Sequence, residues 1–195
     1  RVLEYKAALL EAGSQVEWHP SHMASRYQEW VEGLSWDWCV SRQRAYGVAL
    51  PVWYCAECGA VMLADVAQLP VDPTATEPTR ACSCGSTRFV PETDVMDTWA
   101  TSSVSPQIAG GWLDDPALYA KVTPYSLRSQ AHEIIRTWAF YTIAKSLHHF
   151  GTTPWRHVAI SGWGLAPEGT GKISKSRGGG PMPPLEMIEA HSADA

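Results

Sequence analysis

A chain of 195 residues suits one domain of ordinary size, or one domain carrying a small appended module. Hydrophobic residues make up 45% of it and Trp alone supplies 10, enough for a packed core, so disorder is not the default reading. The formal net charge of −5 argues against a protein held to nucleic acid by charge alone, and no apolar run approaches the ~20 residues that cross a bilayer, so no membrane partner is expected.

The chain opens Arg1-Val2-Leu3 with neither a start Met nor a signal-peptide pattern, which reads as part of a longer, cytoplasmic protein. Residues 1–12 read as a short helix stopped by Gly13. Ser21 is placed to cap a second helix, in which Met23, Tyr27, Trp30, Val31 and Leu34 recur at helical spacing. Cys39, between Trp38 and Val40, reads as a core residue. Residues 50–54 read as a strand entering a cysteine-bearing module, and the Pro-rich stretch 66–80 as a loop inside it. A strand at 125–129, a helix at 132–150 and a buried strand at 157–161 then follow. The helix carries Ile135, Trp138, Ala139, Ile143 and Leu147 on one face and ends at Gly151. Strand, helix and strand at this spacing predict an α/β fold with a parallel sheet of the Rossmann type. His148 and His149, at the end of the helix, read as a surface pair. Residues 162–180 are Gly-rich and carry Lys172, Lys175 and Arg177, and a last helix starts at 185.

Two motifs carry chemistry. Cys55-x2-Cys58-Gly59 and Cys82-x-Cys84-Gly85 make two turns, each offering two thiolates to one tetrahedral Zn²⁺. Gly after the second Cys lets the backbone turn with positive φ and aim amides at sulfur. Four thiolates leave no open position for water, so the zinc is expected to be structural; the alternative is four reduced thiols without metal. The second motif is Lys172-Ile173-Ser174-Lys175-Ser176 between glycines. Two lysines three residues apart on a glycine-flanked loop can close on a polyphosphate as its charge grows. A solvated basic loop is the alternative.

Lys172–Ser176 resembles the KMSKS signature of the class I aminoacyl-tRNA synthetases, with Ile173 standing for Met. Three further stretches are similar to the valyl enzymes of the archaeal type: Asp37-Trp38-Cys39-Val40-Ser41-Arg42-Gln43-Arg44, Asp94 through Ser103, and Ile160 through Met182. The resemblance covers nearly the whole chain in order, and the wording of Asp94–Ser103 and Arg136-Thr137-Trp138 favours valyl over isoleucyl enzymes.

The resemblance implies the second half of a class I catalytic domain with an inserted zinc-knuckle module. Residues 1–50 would be a helical entry segment, 51–92 the module and 93–195 the Rossmann-type second half. It implies ATP and Mg²⁺, valine and tRNA(Val) as reactants and partners, together with the remaining domains of the full enzyme. Lys172 and Lys175 would be catalytic. Gln130, His132, Glu133, Gly162, Trp163, Gly164, Ile173 and Ser174 would bind ATP, and Trp99, Ile134 and Trp138 would line the amino-acid pocket. At helical spacing Ile134 and Trp138 share a face. Ala131 and Glu133 depart from the family's Gly and Asp, and both add bulk where a nucleotide would approach. The family's phosphate-binding His-Ile-Gly-His-type motif does not occur in this chain, so weak or no activity is expected of it alone. Two rival readings stay open: a catalytically dead homologue that binds tRNA or a protein, and a zinc-ribbon module without adenylate chemistry.

Overall fold

The structure, a computed structural model, describes residues 1–162 and 184–194. It forms two compact units, Arg1–Ile160 and Ser161–Ala195. In chain order the first holds α1 (Lys6–Ser14), β1 (Glu17–His19), α2 (Ala24–Glu32), β2 (Ser41–Arg42), β3 (Val52–Cys55), β4 (Val61–Leu63), β5 (Phe89–Pro91) and β6 (Val95–Met96). It continues with α3 (Thr98–Ser102), α4 (Ser105–Ala109), α5 (Pro116–Val122), β7 (Tyr125–Ala131), α6 (Phe140–Phe150) and β8 (Trp155–Ser161), whose last residue belongs to the second unit. In the second unit, α7 (Pro184–His191) is exposed along its length.

The main sheet has the order β1-β8-β7. β1 and β8 run parallel, with Trp18 opposite Val158. The Tyr125 amide donates to the Pro154 carbonyl at 2.9 Å, bringing the starts of β7 and β8 together. The helical segment between these strands is therefore a crossover, as strand–helix–strand spacing predicts. One buried cluster joins α1 (Leu9, Ala12), α2 (Tyr27, Val31), Trp18 of β1, Ile135 and Ala139, α6 (Phe140, Ile143) and β8 (Val158, Ile160). Burying each large aliphatic or aromatic side chain of this kind contributes about 1.5–3 kcal/mol. Two polar tips are satisfied inside it: Tyr27 donates to the Leu9 carbonyl and Trp18 to that of Gly13, each at 3.0 Å.

Several local expectations change. Gly13 does not stop α1, which runs on to Ser14; it is buried where a Cβ would overlap the Tyr27 ring, so glycine serves close packing there. Ser21 lies inside a 3₁₀ turn, Ser21–Met23, that leads into α2, rather than at its cap. The stretch 132–150 is not one α-helix: a 3₁₀ turn (His132–Ile134) passes into a π-helical segment (Ile135–Ala139) and only then into α6, which ends on Gly151 at φ 68°. β8 is not buried throughout; buried Val158 and Ile160 alternate with half-buried His157 and Ala159. Cys39 is exposed, and hydrogen bonding from the Ser41 hydroxyl and amide holds its thiol below the usual pKa.

A second sheet, β4-β3-β5, is antiparallel and carries the cysteine turns, with Trp53 buried at its centre. A third, two-stranded ribbon pairs β2 with β6.

Candidate functional site

The cysteine cluster is built by two backbone turns at the end of the β4-β3-β5 sheet. Cys55 closes β3, and its carbonyl accepts from the Gly59 amide at 2.9 Å. In the other turn the Cys82 carbonyl accepts from Gly85 at 2.8 Å. Gly59 (φ 71°) and Gly85 (φ 87°) both occupy the left-handed region, which a Cβ would strain. The turns face each other, with Cys55 Sγ 3.6 Å from Cys84 Sγ and Cys58 Sγ 3.6 Å from Cys82 Sγ. All four sulfurs lie within 4.8 Å of one another. A tetrahedron with metal–sulfur bonds of about 2.3 Å has edges of about 3.8 Å, so the set fits one ion; a disulfide would need about 2.05 Å. The Cys58 amide holds the Cys55 thiol down to about 6, and the Cys84 amide lowers that of Cys82. Backbone donors thus favour the thiolates of Cys55 and Cys82, whereas the Ala60 and Ser86 amides do not outweigh the sharing of hydrogen bonds with neighbouring cysteines, which pushes the Cys58 and Cys84 thiols up until a metal takes their protons' place.

A second constellation lies where β7 turns into the helical crossover. Gln130 is buried at the end of β7, and its Oε1 has no hydrogen-bond partner among the described residues. Ala131 has extended backbone (φ −81°, ψ 161°), a conformation that does not require glycine. His132 is half-buried and Glu133 exposed in the 3₁₀ turn that follows. Ile134 sits at the start of the π-helical segment, whose wider i→i+5 bonding takes Ile134 and Trp138 out of a simple α-helical register.

Trp138 donates its indole N–H to the Ser102 carbonyl at 3.0 Å, which ties the π-helical segment to α3, where Trp99 is half-buried. Trp138 lines a pocket of about 270 Å³ with Tyr125, Leu127, Arg128 and Trp155; Trp99 and Ile134 are not among its lining. The Arg128 guanidinium stacks on Trp138 and lies 5.1 Å from the Trp155 ring centroid. Burial works against its charge, and its Nε and Nη2 have no partner among the described residues. A separate apolar pocket of about 340 Å³, lined by Ile108, Trp112, Leu113 and Phe150, contains none of the predicted site residues.

The third constellation joins the two sequence stretches Asp37–Arg44 and Asp94–Ser103. Asp97 is buried, ion-pairs with Arg42, accepts from the Trp38 indole at 3.4 Å and caps α3 by accepting from the Trp99 amide at 2.7 Å. Its own amide donates to the Val40 carbonyl at 2.7 Å. Trp38 in turn stacks on Tyr141 of α6, centroids 3.7 Å apart and 12° from parallel. One carboxylate therefore positions Trp99 and the strand ribbon together. Arg42, Asp97 and Arg128 received no role from sequence spacing. Asp97 at the N-cap, two residues before Trp99, was the readable signal; the Arg42 partnership spans 55 positions and had none.

Gly162 follows β8, with no described residue within 4 Å of where a Cβ would stand. Trp163, Gly164, Lys172, Ile173, Ser174 and Lys175 lie outside the described residues.

A sequence profile of the family described as tRNA synthetases class I (I, L, M and V) matches residues 1–195. The valine–tRNA ligase of Picrophilus torridus is 48% identical over 193 residues, covering 99% of this chain and 24% of that protein. The valine–tRNA ligase of Thermoplasma acidophilum is 49% identical over 196 residues, covering 100% of this chain and 24% of that protein. The chain thus spans about a quarter of the length of these curated relatives. Among solved structures, a leucyl enzyme (LeuRS) of Agrobacterium radiobacter K84, in a ternary complex with tRNA and LeuAMS, superposes with a TM-score of 0.62 at 23% identity, over 82% of this chain and 23% of that one. The methionyl-tRNA synthetase of Mycobacterium tuberculosis, bound by methionyl-adenylate, gives 0.57 at 20% identity, over 97% and 30%. At these identities the likeness is one of fold, an α/β architecture built on a parallel sheet.

Proposed function

The chain belongs to the class I tRNA synthetases (I, L, M and V), and on that premise we propose that it forms the second half of the catalytic domain of a valine–tRNA ligase. Such an enzyme activates valine with ATP to valyl-adenylate and transfers it to tRNA(Val), in the cytoplasm. The observation that carries this reading is identity of 48–49% to valine–tRNA ligases over 99–100% of the chain.

Within that function Trp138, with Trp99 and Ile134, forms the wall against which a small branched side chain is measured. The α3 cap on Asp97 and the Trp138–Ser102 hydrogen bond hold the two indole-bearing elements in place. On the strength of the family's sequence motifs alone, Gly162, Trp163, Gly164, Ile173 and Ser174 are ATP-binding residues; Gln130, His132 and Glu133 meet the nucleotide at the end of β7. The buried, unpartnered Oε1 of Gln130 supports this, because a hydroxyl or amino donor of a ligand would satisfy it. Ala131 is compatible with the extended backbone there, so its methyl bears on the room left for the nucleotide and not on backbone strain. Lys172 and Lys175 neutralise the leaving pyrophosphate, and Mg²⁺ accompanies the ATP polyphosphate. Cys55, Cys58, Cys82 and Cys84 hold one structural zinc, which supplies no reaction step and ties two loops together.

Aminoacylation of tRNA(Val) by the longer protein containing this chain tests the reading, with valine, isoleucine and threonine compared. Valine should be charged first, with discrimination of about 1–3 kcal/mol per methylene against isoleucine. Preference for another amino acid would overturn it. The 195-residue chain alone should fail to exchange pyrophosphate into ATP at an enzyme-like rate.

A further inference from the structure

Two parallel strands bring three metal-ligating side chains together on the sheet face opposite the core. In β1 the buried Trp18 alternates with exposed Glu17 and His19, and in β8 buried Val158 alternates with His157. Because Trp18 pairs with Val158 on the core side, Glu17 lies directly opposite His157 on the other side, with His19 one step along the same face. The backbone ladder fixes this register, so the cluster does not depend on a loop.

The donor atoms converge. His19 Nε2 lies 3.1 Å from His157 Nδ1. The Glu17 carboxylate is 3.5 Å from His19 Nε2 and 3.4 Å from His157 Nδ1. A tetrahedral ion with bonds of about 2.0–2.1 Å to nitrogen and oxygen has polyhedron edges of about 3.3–3.4 Å. The histidine pair is close to such an edge, and the Glu17 carboxylate reaches His19 through Oε1 and His157 through Oε2, so a small turn of the carboxylate presents one oxygen to an ion shared by all three. One face of the cluster is open, with side chains 41–65% exposed, which leaves the remaining positions to water.

We propose that Glu17, His19 and His157 form a second metal site, separate from the cysteine cluster, that takes a borderline divalent transition ion such as Zn²⁺. Two imidazoles and a carboxylate suit Zn²⁺, Ni²⁺ or Cu²⁺ and discriminate against Mg²⁺ and Ca²⁺, which need all-oxygen shells. The ion would clamp β1 to β8, so its binding stabilises the folded chain by mass action. A hydrogen-bonded pair of histidines beside a glutamate, without metal, is the outcome that the experiment separates from this.

Zinc is titrated calorimetrically into the metal-free full chain, with bound metal counted by elemental analysis. The expected result is two equivalents. Cys82→Ser with Cys84→Ser removes one, and His19→Gln or His157→Gln weakens the other by at least about tenfold. Glu17→Gln weakens that second equivalent too, and because Glu17 and His19 are exposed and His157 is only half-buried outside the core these variants should keep the wild-type melting curve in chelator. With the cysteine site filled, a hundredfold excess of zinc over the second dissociation constant should raise the melting midpoint by roughly 5–10 °C, and only while both histidines are present. A single equivalent that the cysteine variants abolish, or a second that survives His19→Gln combined with His157→Gln, overturns the proposal.

Discussion

Arg42 and Asp97 are ion-paired between β2 and the N-terminus of α3, and the same carboxylate accepts the Trp99 amide. The side chains differ in setting, Asp97 being 8% exposed and Arg42 34%. Neither residue lines the pocket beside Trp138, yet together they fix the helix start that carries Trp99.

Asp97→Ala should destabilise the chain by about 1–3 kcal/mol, because it removes an N-cap that by itself is worth about 1 kcal/mol and takes the ion-pair partner from a half-buried Arg42 that water and two carbonyls still reach. Asp97→Asn keeps a capping oxygen and should cost less. Urea denaturation orders the two, and equal losses would show that the cap contributes nothing.

Gly13→Ala sets two effects against each other. Helix propensity favours Ala by about 0.8–1.0 kcal/mol, whereas the new methyl would overlap the Tyr27 ring inside a filled core. Overpacking of this kind costs about 1–3 kcal/mol, and Tyr27 cannot retreat without breaking its bond to the Leu9 carbonyl. Net destabilisation is expected in a thermal melt. A rise in midpoint would mean that the ring moves freely.

Asp37 accepts from the Val2 amide at 2.7 Å and the Leu3 amide at 3.0 Å, and these bonds hold its pKa below the usual carboxylate value. A depressed folded pKa makes the contribution complete above the unfolded value of about 3.9 and loses it as pH falls through the folded one. Asp37→Asn should therefore flatten the acid limb of the stability profile below about pH 4 and leave the slope near neutrality unchanged. An unchanged acid limb would remove the role.

The parts legible in sequence were those that a local pattern records. The stripe from Met23 to Leu34 is buried or half-buried because a 3.6-residue period returns those side chains to one face. Cys55-x2-Cys58 and Cys82-x-Cys84 announced their cluster because the spacing and the following glycines define the turn. A π-helical segment left no such trace: Ile135, Ala139 and Ile143 read equally well as an α-helical stripe, while the extra residue per turn re-aims Trp138. Gly13 looked like a stop because helix ends and tight packing both call for the same residue. Cys39 has apolar neighbours but lies on an exposed connection, which hydropathy alone does not reveal. Arg42 with Asp97, and Glu17 with His157, meet only through tertiary pairing.

The cysteine module should depend on its metal. Trp53, Cys55, Met62 and Cys82 are buried but stand outside the main cluster, so the β4-β3-β5 sheet has only a small core of its own. Such a module needs a staple. One zinc per chain is expected at the four cysteines. Chelation should raise hydrogen exchange across residues 52–91 while α1 and α2 stay protected. Unchanged exchange after complete metal removal would mean that packing alone suffices.

In the longer protein, Lys175→Ala should lower the rate of valine activation far more than it weakens valine binding. Negative charge on the leaving pyrophosphate grows only as the bond to the α-phosphorus breaks, so a lysine that meets it there stabilises the transition state and not the ground state. Losing one preorganised electrostatic contact costs about 2.7–4 kcal/mol, roughly a hundred- to a thousandfold in rate. On the proposed reading valine is held at the Trp138 side and makes no use of that charge, so its affinity should hold. Lys172→Ala should act in the same direction with a smaller loss. Pre-steady-state adenylation over a valine titration separates the two cases: a Lys175→Ala enzyme with normal rate and weakened valine affinity would move the residue from the chemical step to substrate holding.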